Sequence, residues 1–342
     1  MTAHILRRIL ISVPLLAIMS FIIFGIIRLP EGDVLAPYRN DPKFSPEEVK
    51  KLEHKYHFDR SFPVQYFHWV KNMFLEWPEP GEAPEDGGRW LPTGVHLDLG
   101  YSFVHRRPVV NVIVGRLFNT LLLSVVSMIL VWAVAIPIGT YCAVHQYSIG
   151  DKILSFFSFI GMSFPSFFLA LILLYLVSLT GVLPIGGFTS PGHYEMSLPG
   201  KIFDIAKHMV IPAVVIVTGS MAGMQRLMRG NMLEVLRKQY VTTARAKGLP
   251  EHKVIYRHAL RNAINPMITI FGYQFSGLLS GVALTEMITS YPGLGSIMLE
   301  AVRAQDIYLI MSSAMTGGVL LIVGNMIADV LLTIADPRIS YE

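Results

Sequence analysis

Three stretches of this chain, Ile9 to Ile27, Leu117 to Val144 and Ile153 to Leu183, contain no charged residue. Crossing the hydrocarbon core of a bilayer takes about 20 consecutive apolar residues, so each run reaches across, and a backbone surrounded by lipid satisfies its own polar groups as a helix. Charge-free runs recur at Ala263 to Thr285 and Ile307 to Ala328, while Met209 to Met224 reaches bilayer length only with its flanks, Ile205 and Gln225. With 52% apolar and 15% charged residues in 342, the composition is too apolar for a soluble domain of this length. The expected fold is an all-α polytopic membrane protein with six transmembrane helices.

Charge then sets the orientation. Between Arg226 and Arg261 stand Arg226, Arg229, Arg237, Lys238, Arg245, Lys247, Lys253, Arg257 and Arg261 against only Glu234 and Glu251, and a loop this basic stays in the cytoplasm. His4, Arg7 and Arg8 precede the first run, which is read as a retained span, because it exceeds a usual signal-peptide core and Gly25 to Asp33 offers no small-x-small cleavage site. The net charge of +4 is thus topological, and no basic face of a soluble fold points to nucleic acid. The single cysteine, Cys142, excludes an intrachain disulfide or a thiolate metal cage.

These readings divide the chain into a cytoplasmic N-terminus (1–8), a first transmembrane helix (9–28), an external region (29–114) and a core with five further transmembrane helices (115–342). In the external region, Ser45-Pro46-Glu47-Glu48 reads as a helix start with a capping box. Val49, Leu52 and Tyr56, and after Pro63 Val64, Phe67, Val70 and Phe74, fall on helical faces. Two short amphipathic helices covering the outside of the membrane are expected, so the fold carries an external α-helical insertion after the first span. Trp77 to His96 reads as a solvated external loop. His54 and His57 lack a third ligand and are read as surface residues. Pro137, Gly139, Gly161 and Pro165 are tolerated as kinks within continuous spans. Pro184 to Lys207 reads as an external loop. Gly219 with Gly223, and Gly277 with Gly281, have the small-xxx-small spacing of closely packed membrane helices.

The polar loop at 226–262, between spans four and five, has its own grammar. Tyr240 to Lys247 lacks a helix breaker, Gly248 suits a left-handed cap, and Pro250 suits the first turn of a second helix. The result is a rigid cytoplasmic knob. A topogenic signal alone accounts for its charge but not for the hinge or its spacing to Arg257.

The residues Thr243-Ala244-Arg245-Ala246-Lys247-Gly248 followed by Arg257-His258-Ala259-Leu260-Arg261-Asn262 resemble the cytoplasmic coupling-helix loop of ABC-transporter permeases of the dipeptide/oligopeptide family. The wider superfamily opens this loop with Glu-Ala-Ala and places an acid before the glycine; Thr242-Thr243-Ala244 and Lys247 depart from that in the manner of the peptide branch. The resemblance extends through Leu29-Pro30, Asp98-Leu99-Gly100-Tyr101-Ser102, Arg107-Pro108-Val109, Arg116, Tyr291-Pro292-Gly293-Leu294-Gly295 and Asp336-Pro337-Arg338. It implies a subunit of a binding-protein-dependent importer in the plasma (inner) membrane with both termini cytoplasmic. The implied partners are a second, related but non-identical permease, two ATPase subunits that carry ATP and Mg, an external substrate-binding protein and the lipid bilayer. On that resemblance, Tyr240, Thr243, Ala244, Arg245, Ala246, Lys247, Gly248, Leu249, Arg257 and His258 dock an ATPase. The chain itself is expected to hold no cofactor or metal.

No phosphate-cradling Gly-Lys loop and no nucleophile with its base is present, so an enzyme is not expected. An ion-coupled carrier needs ionisable groups within its spans, yet Glu286 and Asp329 stand near span ends. Ser163, Gln274 and Ser280 are candidates for lining a translocation path between the two permeases. Within the family, nickel chelates or oligosaccharides are the alternative solutes to peptides; outside it, the alternatives are a carrier working without ATPases and a membrane anchor.

Overall fold

The computed structural model describes residues 2–27, 39, 45–55, 57–75, 99–102 and 104–335, with the side chains of 271–281 and a few others not described. Leu29-Pro30, the 77–96 loop and Asp336-Pro337-Arg338 lie outside the described residues, as do Tyr56 and the side chains of Leu52 and Phe74. The chain forms two compact units, one built from 7–118 and 297–319, the other from 119–296 with both chain ends.

In the first unit, α1 (Thr2–Ile27) is followed by α2 (Pro46–Lys55) and α3 (Phe62–Leu75). The face of α3 that packs inward is only partly the expected one: Val70 packs on the core, but Val64 and Phe67 are exposed, whereas Trp69 is buried with Phe24, Ile307 and Met311. The aromatic face wins because Phe62 and Tyr66 meet Phe21 and Phe24 edge to face, and the Tyr66 hydroxyl lies 2.7 Å from Ser20 Oγ. Ring contacts and a satisfied hydroxyl together outweigh burial of Val64 and Phe67. His57 adopts a positive φ of 56° and stacks on His68 rather than standing free.

The same unit contains a departure from an all-α fold, a two-residue antiparallel pair, β1 (Tyr101–Ser102) with β2 (Arg107–Pro108). It is held by Asp306, 1% exposed, whose Oδ2 accepts from Ser102 Oγ (2.7 Å) and Val104 N (3.2 Å) while Oδ1 caps Leu309 N. Gly100, at φ 88°, lets the Tyr308 ring lie against its backbone; an added Cβ would stand 2.7 Å from that ring.

α4 (Val109–Val144) leads to the helices of the second unit, α5 (Ile149–Ser163), α6 (Ser166–Thr180), α7 (Leu198–Leu236), the polar segment 237–264, and α11 (Asn265–Ile288); α12 (Leu294–Arg303) and α13 (Ile307–Ala335) close the chain. Among the described residues, four helices (Leu10–Ile27, Val109–Val144, Leu198–Leu236, Ile307–Ile327) are long and apolar enough to cross a membrane.

A fifth crossing would be the pair α5 and α6, which is not the continuous span expected from Ile153 to Leu183, since its halves are bent by 99°. The break is local chemistry: Pro165 has no N–H to donate and drives Phe164 into extended backbone (ψ 131°). Each half has 15 residues and runs only about 22 Å.

α7 also differs from expectation. It continues unbroken for 39 residues, about 58 Å, absorbing both the end of the expected external loop and the first third of the expected polar loop. Pro199 does not mark a loop but occupies the first turn of α7, where a missing N–H costs nothing. Gly139 and Gly161 are contact points of α4 and α5 with α7: an added Cβ would stand 2.7 Å from Met228 Cβ and 2.7 Å from Thr218 Cγ2, respectively. Gly219 and Gly223, expected to be such contacts, face open space instead.

Candidate coupling site

The end of α7 is secured before the knob begins. Ser148 caps α5 by accepting from Asp151 N, and Asp151 Oδ2 in turn accepts from Tyr147 N (2.9 Å) and from Arg229 Nη2 (2.8 Å). Asp151 is 4% exposed. Arg229, expected to be a loop cation, is therefore a helical residue whose charge is spent on a buried carboxylate. Beyond it Lys238 bonds Glu234 one turn back (2.7 Å).

The chain then reverses into α8 (Gln239–Ala246). Val241 and Ala244 point down into a cluster with Met224, Met228 and Met232 of α7 and Val254, Ile255 and Ala259 of the segment after the hinge. The helix closes as its sequence dictates. Gly248 sits at φ 74°, its N–H bonds Arg245 O (2.9 Å), and Leu249 N returns to Ala244 O (3.4 Å). Pro250 stands immediately before α9 (Glu251–Lys253), rather than inside its first turn.

The next element could not be anticipated from the residues: Val254–Ala259 is a π segment that passes into α10 (Leu260–Ala263). Its wider turn sets Val254, Ile255 and Ala259 inward while Tyr256 and Arg257 remain exposed. π segments are rare insertions concentrated at functional sites. The signal available in the sequence was the adjacent pair Val254-Ile255, too few residues to separate π from α spacing.

A second feature missed by sequence reasoning is the clasp across the hinge. Arg245 Nε lies 3.2 Å from both Glu251 oxygens and Nη2 lies 2.6 Å from Oε1. This two-pronged contact is the strong geometry for a guanidinium and a carboxylate. Hydrogen bonding by Arg245 holds the Glu251 carboxyl below its usual range, and the same bond pushes the Arg245 guanidinium up.

The ten residues singled out from the sequence therefore separate. Tyr240, Thr243, Arg245, Ala246, Lys247, Gly248, Leu249 and Arg257 are exposed on one continuous segment, His258 is half-buried, and Ala244 is 7% exposed, part of the floor and not of the surface. Small size explains the correction: an alanine at that position lets α8 lie close to the methionines of α7. Tyr256, 64% exposed, joins Tyr240 and Leu249 as exposed apolar surface on the same segment as Arg245 and Arg257, and tyrosine and arginine are enriched at protein interfaces. Ser163, one of the candidates for a translocation path, spends its hydroxyl on Phe159 O (2.8 Å); the side chains of Gln274 and Ser280 lie outside the described residues.

At the far end of α11, Glu286 is fully buried and organises the Tyr291-Pro292-Gly293-Leu294-Gly295 turn. Thr120 Oγ1 donates to its Oε1 (2.8 Å) and accepts from Leu294 N (2.6 Å), Ser296 N donates to Oε2 (3.1 Å), and Asn119 Nδ2 donates to Pro292 O (2.8 Å). Gly293 lies so close to the carboxylate that any Cβ there would overlap it. No group of three or more His, Cys, Asp or Glu placed to hold a metal occurs among the described residues.

The family model of the binding-protein-dependent transport system inner membrane component matches residues 135–341, and that of the corresponding N-terminal region matches 1–124. The oligopeptide transport system permease protein AppB of Bacillus subtilis (strain 168) is 37% identical over 342 residues, covering 100% of both chains. The dipeptide transport system permease protein DppB of Escherichia coli (strain K12) is 32% identical over 359 residues, again with 100% of both chains covered. A chain of the MetNI methionine ABC transporter, solved in an inward-facing conformation, shares the fold with a TM-score of 0.50 at 15% identity over 66% of this chain and 96% of its own. Matches that run from end to end, on a mostly helical chain with several membrane-length apolar helices, establish that this protein belongs to the family of binding-protein-dependent transport system inner membrane components.

Proposed function

We propose that this chain forms half of the translocation path of an ATP-driven importer for peptides delivered by an external binding protein. Membership of the family makes it a translocation subunit, with ATP hydrolysis on separate subunits. The observation that carries the peptide reading is whole-length similarity to relatives named as oligopeptide and dipeptide permeases.

In this reading the chain crosses the membrane six times, with α5 and α6 as one broken crossing and α11 as the fifth. Both termini and the 226–262 loop lie in the cytoplasm, and 29–114 lies outside. The knob from Tyr240 to Leu249, with Tyr256, Arg257 and His258, docks one of two ATPase subunits. Its supports are the floor of α7 methionines beneath α8, the αL hinge at Gly248 and the Arg245–Glu251 clasp. A second, related permease completes the path, whose polar groups include Ser163, Gln274 and Ser280.

The test is reconstitution with the second permease, the ATPases and the binding protein, then ATP-dependent uptake of labelled di- and oligopeptides, with nickel chelates and oligosaccharides as competitors. Peptide uptake that needs ATP and the binding protein is the expected result. Uptake of only a chelate or sugar overturns the peptide assignment, and uptake by this chain without ATPases overturns the importer. Reporter fusions at Pro84 and Glu251 check the orientation; both on one side of the membrane would refute it.

A further inference from the structure

Gly219 and Gly223 are one helical turn apart on α7, yet an added Cβ at either would meet no atom within 4 Å. They do not serve close helix packing, unlike Gly139 and Gly161, which lie against α7. Both border a cavity of about 440 Å³ whose apolar lining includes Met128, Met224, Leu227 and Val282. Among the described residues, Ser166, Ser220 and Thr285 bring hydroxyls to its lining, and no charged side chain lines it.

Thr285, on α11, is 1% exposed and lines the cavity opposite α7.

We propose that this cavity receives an apolar side chain of the peptide in transit, with Thr285 and Ser220 meeting the adjoining peptide backbone. The inference rests on the peptide-import reading. Its volume falls within the range of small-ligand pockets, about 300–1,000 Å³, and unbranched methionines adapt to side chains of different shape. The glycines keep the wall open, and the absence of charge keeps binding weak enough for release. A pocket with these properties favours passage of bulky apolar peptides without retaining them.

Gly219→Leu and Gly223→Leu fill the cavity from a helix that tolerates leucine well. In the reconstituted importer, uptake of peptides bearing Phe, Leu or Met should fall about tenfold or more relative to wild type, matching the loss of one buried large side chain. Uptake of dialanine, whose side chains leave the cavity unfilled, should fall less than uptake of the bulky peptides, so the ratio of bulky to small uptake drops. Thr285→Val, which keeps the shape, should lower uptake of both bulky and small peptides with assembly unchanged. Equal loss of bulky and small peptides in the leucine variants, or no loss, overturns the pocket. Failure of the second permease to co-purify with Gly223→Leu overturns it in favour of a partner helix occupying the cavity. A wild-type assembly that hydrolyses ATP but imports no peptide of either class refutes the peptide reading itself, a result distinct from failure of the pocket.

Discussion

Gly248 is the position where a single substitution should separate coupling from folding. Its φ of 74° lies in the left-handed region, and open space surrounds the position of a Cβ, so the cost of a side chain is purely conformational. For an L-residue in this region that cost is about 1–2 kcal/mol, and a β-branched residue stands at the upper end. Because the bonds Gly248 N to Arg245 O and Leu249 N to Ala244 O close only this turn, the strain is released by local opening of the α8 end. An opening penalty of this size lowers the fraction of intact knob, and with it the apparent affinity for the ATPase, by about 5- to 30-fold in a marginal turn. The series Gly248→Asn, Gly248→Ala and Gly248→Val should show graded loss, since asparagine visits the left-handed region at least cost. The measurement is co-purification of the ATPase subunits with each variant, read beside membrane abundance and peptide uptake. Full docking and full uptake by Gly248→Val would refute the reasoning and leave the segment as a merely topogenic basic loop.

The Arg245–Glu251 clasp is exposed, so Glu251→Gln should cost no more than about 1 kcal/mol and the effect should shrink at high salt. Because the Glu251 carboxyl is held low in the folded chain, its contribution is present above the ordinary carboxylate pKa and is lost as pH falls through the lowered value. Limited proteolysis at the hinge between about pH 3 and 6 should therefore accelerate on acidification in the wild type and stay flat in Glu251→Gln. Asp151→Ala removes a buried carboxylate and leaves the part-exposed Arg229 unpaired, so it should destabilise by about 1–3 kcal/mol, visible as a lowered unfolding temperature in detergent, and Asp151→Ala with Arg229→Met should recover part of it. Gly293→Ala should lower the unfolding temperature by forcing Glu286 aside, an overpacking cost of about 1–3 kcal/mol; an unchanged transition would contradict the packing of that turn.

Much of this protein is written in local sequence. Charge-free runs of membrane length specify helices because lipid offers the backbone no other partner. The hinge was legible for the same kind of reason: a breaker-free stretch ended by glycine and then proline has few local solutions, and α8, the αL Gly248 and Pro250 before α9 match it closely. The basic excess between 226 and 261 was also plain, but its division into roles was not. Arg229 is committed to Asp151, Arg245 to Glu251, and Lys238 to Glu234, and no one-dimensional spacing distinguishes a cation that is spent from one that is available.

Only the tertiary structure decided which of two plausible faces turns inward. On α3 Val64 and Phe67 are exposed while Phe62, Tyr66 and Trp69 face inward, because edge-to-face rings and the Tyr66 hydroxyl found partners on α1. Gly139 and Gly219 are the same residue type on long apolar helices, yet one admits a neighbour's backbone and the other opens onto a cavity. The length of α7 and the π turn at Val254–Ala259 are likewise set by packing and not by local spacing. Local sequence specifies what each segment can form. Which apolar surfaces meet, and which polar groups are left to one another, depends on partners distant in the chain.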